Sequence, residues 1–558
     1  MSARLLATTA VLAASIPGRG AVPVLDHVLP VALAPGTSNV VVLVGKFDPW
    51  PPRFWSDLPG MVVQPTTNNG SVVVHVPSNA PAGARYLRAF NAEGTSAPRF
   101  LVIDSSNPMA AESEPNNDAA SQANPVTPPV VIHGRLEKSG DVDSFHVSLA
   151  EGQSVVAWAQ AYTLMSPMDP VLRLLGPGRR QVTWNHDDGR SLDPLLAWTS
   201  PTGGSHVLQF FTFPYPADSD IRLSGKAHAV YRLHVHTGPV VRHALPLGVQ
   251  RGRTNSLALV GWNLGSASNN PVLFNASGLS PEAIAAPLLH HGLPALVDPL
   301  VGDGPEDVES EPNDDVAMAR HLPVPGGVTG NLDREGDIDR FRLEAGKGDK
   351  LLLAVHSASL GFNLDAWLRV EDPNGKELAR NDDGNGSDPR LEWTAPADGS
   401  FVVAVGSLLR LGGTDRWYRV SAARPVPSFR PTVSENAFSI APGKTNEIVV
   451  SLGRAHGHDV PLTLSAEGLP EGVNAASAEA DAKATSVTLR LVAATNAPAA
   501  AVAFQVRVME KGGIKSLPVR MDLVSAGENN GVPQGFRRLV RDSIDDLWLT
   551  VLAPQAGK

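Results

Sequence analysis

The sequence predicts an all-β protein, a string of β-sandwich domains, from three observations. Its 558 residues include 51 glycines and 48 prolines, spread along the chain in the turn-forming pairs that many short strands require. Apolar runs of strand length, such as 154–159 and 400–405, lie between these turns. Two long segments carry the same motifs in the same order, so the chain contains repeated modules. At about 100–150 residues per domain, the length predicts four or five domains.

Composition narrows the class of protein further. Hydrophobic residues make up 42% of the chain, which suffices for packed cores and excludes global disorder. No cysteine is present, so disulfides, thiolate metal sites and cysteine nucleophiles are excluded. The formal net charge of −10 argues against nucleic acid or an anionic membrane surface as a general partner.

Residues 1–20 are predicted to be a signal peptide. Arg4 precedes an apolar, alanine-rich run over 5–16, and the small residues Ala13 and Ser15 offer a cleavage site. This run is too short for a membrane-spanning helix, and no later stretch reaches that length without proline, glycine or charge. A disordered leader is the alternative. The expectation is a secreted, periplasmic or cell-surface protein without a transmembrane segment.

Segments 21–104 and 238–305 open in the same way. A turn, an apolar strand and a glycine before a loop occur in both, with matching glycines at 36 and 252 and at 45 and 261. This order resembles the start of small immunoglobulin-like domains of the IPT/TIG type, and it predicts one such domain in each segment. In the second segment, 280–282 is predicted to cap one helical turn, because serine is a good N-cap and proline suits the first helical position.

An acidic constellation occurs twice. Residues 112–118 read Glu-Ser-Glu-Pro-Asn-Asn-Asp, and residues 309–315 read Glu-Ser-Glu-Pro-Asn-Asp-Asp. Each is followed by a Gly-Asp-x-Asp-x-Phe segment, at 140–145 and at 336–341. Carboxylate and amide oxygens without histidine or cysteine suit Ca²⁺ better than zinc or copper. Such residues also populate solvated turns, but their duplication favours an ion site in each copy.

The segments around these motifs, 111–237 and 308–424, correspond in sequence over their whole length. Near their ends, Tyr231-Arg232 matches Tyr418-Arg419. With an Asp-Asp-Gly turn in each copy, this order of motifs resembles the bacterial pre-peptidase C-terminal (PPC) domain. The resemblance implies a jelly-roll-like β-sandwich from a family of accessory domains of secreted peptidases and other extracellular proteins, including the collagen-binding domains of bacterial collagenases. It also implies Ca²⁺ as the cofactor, with these ligands: Glu112, Glu114, Asn116, Asn117, Asp141, Asp143, Glu309, Glu311, Asn313, Asp314, Asp337 and Asp339.

The two copies differ at one of these positions. Asn117 in the first copy stands where the second copy has Asp314. A neutral amide in place of a carboxylate weakens Ca²⁺ binding, because affinity follows the charge of the ligands. The second site is therefore predicted to bind more tightly than the first.

Residues 425–525 alternate apolar and polar side chains, as at 487–491 and 504–508, and are predicted to form a third immunoglobulin-like domain. The tail, 526–558, contains the apolar run 547–552, a predicted last strand without an assigned partner. The linkers 237–239 and 423–425 each contain a proline, which restricts the backbone. We therefore expect the domains to form an elongated chain.

Motifs for catalysis are absent from the sequence. It contains no G-x-S-x-G, H-E-x-x-H or G-x-x-x-x-G-K-[ST] pattern, and no dinucleotide-binding loop. His234 and His236 would share one face of a strand, either as half of a transition-metal site or, as we prefer, as an exposed edge-strand pair. His186 precedes the Asp-Asp-Gly turn of the first copy, whereas Asn381 precedes the equivalent turn of the second copy. The turn explains both copies without a hydrolytic triad.

These observations predict a non-catalytic, exported bacterial protein that binds or scaffolds through calcium-stabilised modules. The expected partner is an extracellular polysaccharide or protein matrix, or a partner protein at the cell surface. The alternative is an unrecognised secreted hydrolase, a peptidase or a glycosidase, or an accessory subunit of one, because PPC domains accompany such enzymes.

Overall fold

The structure is a computed structural model that describes residues 20–189, 191–214, 222–265, 271–279, 283–286, 296–384, 386, 388–513, 515–524 and 540–554. The predicted signal segment up to residue 19 and the predicted helical turn at 280–282 lie outside these ranges. Strands dominate the described residues, so the predicted all-β class is confirmed. Helical structure is limited there to single 3₁₀ turns at Tyr162–Leu164, Pro177–Arg179, Ala276–Gly278, Val316–Met318 and Ala358–Leu360.

The N-terminal module contains two four-stranded sheets. Its strands are β1 (Val24–Leu29), β2 (Ala32–Leu33), β3 (Ser38–Lys46), β4 (Arg53–Ser56), β5 (Val62–Pro65), β6 (Ser71–His75), β7 (Gly83–Phe90) and β8 (Arg99–Ile103). They are ordered β1-β3-β6-β5 and β2-β8-β7-β4. Leu25, Val41, Val72, Leu87 and Leu101 from both sheets meet in one buried core, which is the arrangement of a β-sandwich.

We call residues 111–237 the first repeat module; with the preceding strand it forms two five-stranded sheets. The strands are β9 (Met109–Ala111), β10 (Asn124–Pro125), β11 (Val130–Arg135), β12 (Asp143–Leu149), β13 (Ser154–Gln160), β14 (Asp169–Leu175), β15 (Gln181–Asn185), β16 (Leu195–Thr199), β17 (Gly204–Phe213) and β18 (Val230–His236). The sheet orders are β10-β12-β17-β14-β15 and β16-β13-β18-β11-β9.

The intermediate module has fewer described strands. These are β19 (Val240–Leu245), β20 (Gly248–Gln250), β21 (Thr254–Trp262), β22 (Val272–Asn275) and β23 (Leu300–Gly302). β19, β21 and β22 form one sheet, and β20 pairs with β23 in parallel.

We call residues 308–424 the second repeat module; it reproduces both five-stranded sheets. Its strands are β24 (Glu306–Val308), β25 (Arg320–His321), β26 (Gly326–Asn331), β27 (Ile338–Ala345), β28 (Lys350–His356), β29 (Ala366–Glu371), β30 (Glu377–Asn381), β31 (Arg390–Thr394), β32 (Gly399–Ser407) and β33 (Trp417–Ala423). The orders β25-β27-β32-β29-β30 and β24-β26-β33-β28-β31 match the first module strand for strand.

The C-terminal module extends beyond the predicted boundary at residue 525. Its strands are β34 (Ala437–Ile440), β35 (Thr445–Ser451), β36 (Leu462–Glu467), β37 (Val473–Ala475), β38 (Ala478–Ala480), β39 (Ser486–Ala493), β40 (Ala500–Glu510), β41 (Ser516–Pro518), β42 (Met521–Val524), β43 (Val540–Ile544) and β44 (Leu547–Val551). The last strand, β44, lies between β34 and β40. The predicted strand in the tail is confirmed, and its partners are identified.

The modules do not form an elongated chain, so that expectation is wrong for this structure. Phe90 of the N-terminal module packs on Trp548 of the C-terminal module, with ring centroids 4.7 Å apart. A second shared cluster joins Tyr86, Val230 and Ile544 from three modules. Proline restricts the backbone at a linker, but it does not set the orientation of the next module. In this structure, contacts between apolar patches on distant modules set that orientation.

The histidine pair on β18 also differs from its prediction. β18 is the central strand of its sheet, between β13 and β11, and both His234 and His236 are buried. Trp158 stacks on both rings, at centroid distances of 4.5 and 4.9 Å. The strand is central and both rings are buried, so the pair is neither exposed nor at an edge.

No helix in the described part of the chain has the length and apolarity to cross a membrane.

Candidate metal centres

Strand alternation places one carboxylate of each repeat at the end of the sandwich core. Asp143 is the first residue of β12, and every second side chain after it, beginning with Phe145, faces the core. Asp339 and Phe341 occupy the same positions on β27. Both carboxylates are fully buried. An ionised group in such a place needs a partner of opposite charge or several hydrogen bonds.

The first glutamate of each acidic segment is held by its neighbours. Glu112 accepts hydrogen bonds from the backbone N–H of Arg135 at 2.7 Å and from the Tyr231 hydroxyl at 2.9 Å. Glu309 accepts from the backbone N–H of Asn331 at 2.5 Å and from the Asn313 amide at 3.0 Å. The start of each segment is therefore fixed against the strand that precedes the Asp-x-Asp motif.

The second glutamate and the asparagine form a turn over the site. Glu114 accepts from the backbone N–H of Asn116 at 3.0 Å, and Glu311 accepts from that of Asn313 at 2.9 Å. The Asn116 carbonyl in turn accepts from the backbone N–H of Ser144 at 3.2 Å. This bond brings the asparagine side chain next to the start of β12.

Several oxygens converge here without hydrogen-bond partners. One oxygen of Asp141 accepts from the backbone N–H of Glu137 at 2.6 Å, and its second oxygen has no partner. The same holds for the second oxygen of Asp143 and for the side chain of Asn116, all fully buried. The second repeat leaves the equivalent oxygens of Asn313, Asp337 and Asp339 unpaired. A buried unpaired polar atom costs about 1–3 kcal/mol, so these oxygens fit a cation.

The predicted ligands are not all equally close. Ligand oxygens of Glu114, Asp141 and Asp143 lie within 4.8 Å of one another, as do those of Glu309, Glu311 and Asp339. Asn117 and Asp314, in contrast, make other contacts. The Asn117 amide oxygen accepts from the backbone N–H of Val142 at 2.9 Å, and Asp314 pairs with the Arg334 guanidinium. The position at which the two copies differ is therefore at the rim of the site.

Burial and mutual repulsion raise the pKa values of the site carboxyls. Desolvation, followed by the neighbouring Glu112, raises the pKa of Asp143 to about 10. Desolvation and the charge of Glu309 raise the pKa of Asp339 to about 9. Burial also raises the pKa of Glu309 to about 7 and that of Asp337 to about 6. Without a cation, each site therefore retains protons at neutral pH.

Two further residue types complete each site, and sequence reasoning did not assign them to it. The Tyr231 hydroxyl lies within hydrogen-bond distance of both Glu112 and Asp143 and has one hydrogen to donate. The Tyr418 hydroxyl donates to Asp339 at 2.7 Å. A Cβ atom at Gly134 or Gly330 would collide with the tyrosine hydroxyl and the first glutamate. The sequence signals available for them were the Tyr-Arg pairs and a second pair of matching segments, Gly134-Arg135-Leu136 and Gly330-Asn331-Leu332.

Arg334 is expected to compete with Ca²⁺ at the second site. Its guanidinium contacts Asp314 and lies 3.5 Å from the unpaired oxygen of Asp337. Two unit charges 4 Å apart in water interact by about 1 kcal/mol, or about fivefold in affinity. Arg334→Gln should therefore raise the Ca²⁺ affinity of this site by up to about fivefold, as measured by calorimetric titration.

Arg424→Gln is the matched control for that variant, since it removes the same charge from an exposed ion pair with Asp349 in the same module. An equal rise in affinity in both variants would mean that only net charge is responsible. No change in the Arg334 variant would mean that its guanidinium does not face the ion.

A groove of about 860 Å³ lies beside the first site, between the N-terminal module and the first repeat. Its walls are mainly apolar, and Glu112 and Glu114 reach them from the acidic cluster. His133 also lines the groove, is 4% exposed, and has no hydrogen-bond partner for either ring nitrogen. The volume suits a drug-sized ligand or a short polymer segment.

Comparisons with known proteins give a partial match. A probable subtilase-type serine protease of Deinococcus radiodurans is 36% identical over 102 residues, which are 17% of this chain and 14% of that protein. The chain thus spans a small part of this relative. No family model matches, so the PPC identity stays a prediction.

Solved structures add only remote similarities. Fibronectin(III)-like modules of Clostridium thermocellum CbhA align at a TM-score of 0.12 with 10% identity, over 36% of this chain and 90% of that one. Tripeptidyl peptidase 2 aligns at a TM-score of 0.15 with 8% identity, over 91% and 39%. Similarities this low carry no argument about function.

Proposed function

We propose that the chain is an exported, non-catalytic binding or scaffold protein whose two repeat modules each bind Ca²⁺. One observation carries the proposal: both repeats bury the same set of aspartate and asparagine oxygens without hydrogen-bond partners. The donor set is all oxygen and includes at least three carboxylates in each cluster. Such a set suits Ca²⁺, which takes six to eight oxygen ligands in flexible geometry.

Calcium in these sites would fix how each repeat module joins the module before it. The acidic segment enters the module directly from the linker, and the ion would hold it against β12 or β27. On the opposite face of the closing strand, Arg232 pairs with Asp104 of the first linker at 2.5 Å, and Arg419 pairs with Glu306 of the second at 2.5 Å. The tyrosine on one face of the closing strand and the arginine on the other thus both contact the segment that leads into the module. Defined joints support a scaffold role.

One contact between a serine and a histidine lacks the third member of a hydrolytic triad. Ser38 lies 2.7 Å from His75, whose other nitrogen contacts Gln64 at 3.1 Å rather than a carboxylate. These residues sit across neighbouring strands on an exposed sheet face. A hydrolytic triad needs a carboxylate or an equivalent group to orient the imidazole, and an oxyanion site beside the nucleophile. The pair is better explained as a cross-strand hydrogen bond.

The protease match supports a modular role. The match covers 102 residues, a length comparable to one module. An accessory subunit of a secreted hydrolase is the second candidate for this reason. The groove beside the first calcium site is the proposed surface for an extracellular polysaccharide or a partner protein.

Binding and turnover assays on the full chain test this function. We expect binding on a glycan or matrix-protein array in calcium, with no turnover of peptide or glycoside substrates. Val42→Asp should weaken binding, because Val42 lines the groove and is 41% exposed. Val492→Asp, at 44% exposure on the C-terminal module, is the control. Turnover that one carboxylate or histidine substitution abolishes would overturn the proposal.

A further inference from the structure

A third cluster of possible metal ligands lies away from both calcium sites. His186 follows β15, and its ring lies between Asp169, the first residue of β14, and Asp187. His186 Nε2 is 3.0 Å from Asp169 Oδ1, and Nδ1 is 3.2 Å from Asp187 Oδ2. The histidine side chain is 34% exposed, so solvent reaches the cluster.

The contact between His186 and Asp169 does not have the geometry of a hydrogen bond. Nε2 and Oδ1 are both inaccessible to solvent, yet neither has a hydrogen-bond partner. Two ligands of a tetrahedral zinc ion, with bonds of about 2.0–2.1 Å, lie about 3.3–3.4 Å apart. At 3.0 Å, Nε2 and Oδ1 are about 0.3–0.4 Å closer than this, so a small separation of the two side chains would let both bind one ion. On the other side of the ring, Asp187 occupies the position of a carboxylate that orients a metal-bound imidazole.

Only the first repeat has a histidine at this position. The strand pairing, however, identifies a different counterpart in the second repeat from the one that the sequence suggested. Asn185 and Asn381 pair with Leu172 and Leu368, and each amide oxygen accepts a backbone N–H at the start of the next strand. Asn381 therefore corresponds to Asn185, and the sequence pairing of Asn381 with His186 was wrong by one residue. The first turn is one residue longer, which misled the alignment. Asp382 corresponds to His186.

We propose that His186 and Asp169, with Asp187, form a site for a divalent transition metal ion such as Zn²⁺. One imidazole nitrogen with carboxylate oxygens suits zinc, whereas calcium prefers oxygen ligands alone. Asp382 in the second repeat leaves that copy with carboxylates only. The site is independent of the calcium sites of the proposed function.

The metal would stabilise the turn that joins three modules. Directly after the cluster, Asp188 pairs with Arg242 of the intermediate module at 2.9 Å. Arg242 also donates to the Gly361 carbonyl of the second repeat at 2.9 Å. Gly189 lies against Gly361 so closely that a Cβ atom would collide with it. An ion at His186 would hold this turn in its docked position.

A protonated imidazole between two carboxylates is the competing explanation. The adjoining carboxylates, Asp169 first and then Asp187, raise the pKa of His186 to about 10. In that state the ring would be an ion-pair partner and would not bind metal. Titration with zinc separates the two states, because only a metal site takes up one ion with loss of the imidazole proton.

The experiment is calorimetric titration of the full chain with ZnCl₂ in saturating calcium. We expect one tight equivalent, and at least a tenfold loss of affinity in His186→Asp, which installs the residue of the second repeat. His321→Asp, an exposed histidine of the second repeat, should leave the tight equivalent unchanged. No tight equivalent, or one that His186→Asp leaves intact, would overturn the site.

Anomalous diffraction at the zinc edge on the unmodified protein gives a test that needs no variant. A peak about 2.0–2.1 Å from His186 Nε2 is expected. Zinc found only at other histidines would refute the proposal, whatever the stability of the variants.

Discussion

Removing calcium is expected to make the repeat modules lose stability more steeply as the pH rises from 7 to 9 than they do in the calcium-loaded protein. In the calcium-free protein, burial raises the pKa of Asp143 to about 10 and that of Asp339 to about 9. Each of these pKa values in the folded state lies above the pKa of the same aspartate in the unfolded chain. At every pH between the unfolded and the folded value, the folded state therefore binds more protons than the unfolded state. Stability therefore falls as the pH rises through this interval, by up to about 1.4 kcal/mol per pH unit for each proton difference.

Bound calcium would remove this dependence, because it would hold the same carboxylates in their ionised form, as they are in the unfolded chain above pH 7. It adds about 2.7 kcal/mol at a free concentration one hundred times Kd. The interval avoids the histidines whose pKa is lowered by burial. Burial lowers the pKa of His133 and His243 to about 3 each, so their contribution is lost only as the pH falls below about 6.5. The carboxylates of Asp169 and Asp187 raise the pKa of His186 to about 10, so its contribution falls over the same interval, but equally with and without calcium.

The measurement is calorimetric unfolding of the full chain at pH 7 and pH 9, with calcium and with EGTA. Asp143→Asn with Asp339→Asn is the matched variant, which keeps side-chain shape but removes both charges. It should lose the calcium response and most of the pH dependence. A slope that is the same with calcium and with EGTA would show that these carboxylates do not face an ion.

Trp548→Ala is expected to cost about 3–5 kcal/mol, the usual range for deleting a buried tryptophan. Trp548 is 1% exposed and lies between Phe90 and Trp55 of the N-terminal module, at centroid distances of 4.7 and 6.0 Å. The substitution removes packing from the C-terminal module and from the contact between the first and last modules. We expect a lower unfolding temperature and faster hydrogen exchange in β7.

Trp184→Ala is the control, because Trp184 is 55% exposed on the first repeat. It should change stability by no more than about 0.5 kcal/mol, as surface substitutions do. Unchanged exchange in β7 of the Trp548 variant would mean that the two modules separate in solution.

The sequence predicted the features that depend on local pattern. Alternation and turn residues gave the all-β class and the last strand, and repetition gave the two acidic segments. Period-two alternation also explains why Asp143 and Asp339 face the core. Tyr231, however, reaches Glu112 from 119 residues away, and only pairing of the strands brings the two together. No local pattern carries such a contact.

Two errors have distinct physical origins. The elongated arrangement was inferred from proline at the linkers, but apolar patches such as that around Phe90 determine the packing of modules, and a single surface residue gives no periodic signal. The counterpart of His186 was misassigned because one additional residue in a turn shifts an alignment without changing the strands on either side. The shared hydrogen bond of Asn185 and Asn381 identifies the correct register.

The contact between Phe90 and Trp548 also has a consequence for how the chain is made. A ribosome completes the N-terminal module long before it adds β44, the strand that covers Phe90. During that interval the apolar surface around Phe90 stays open to other chains, which is the condition under which large proteins aggregate. A chain that lacks β44 would keep this apolar surface exposed after synthesis.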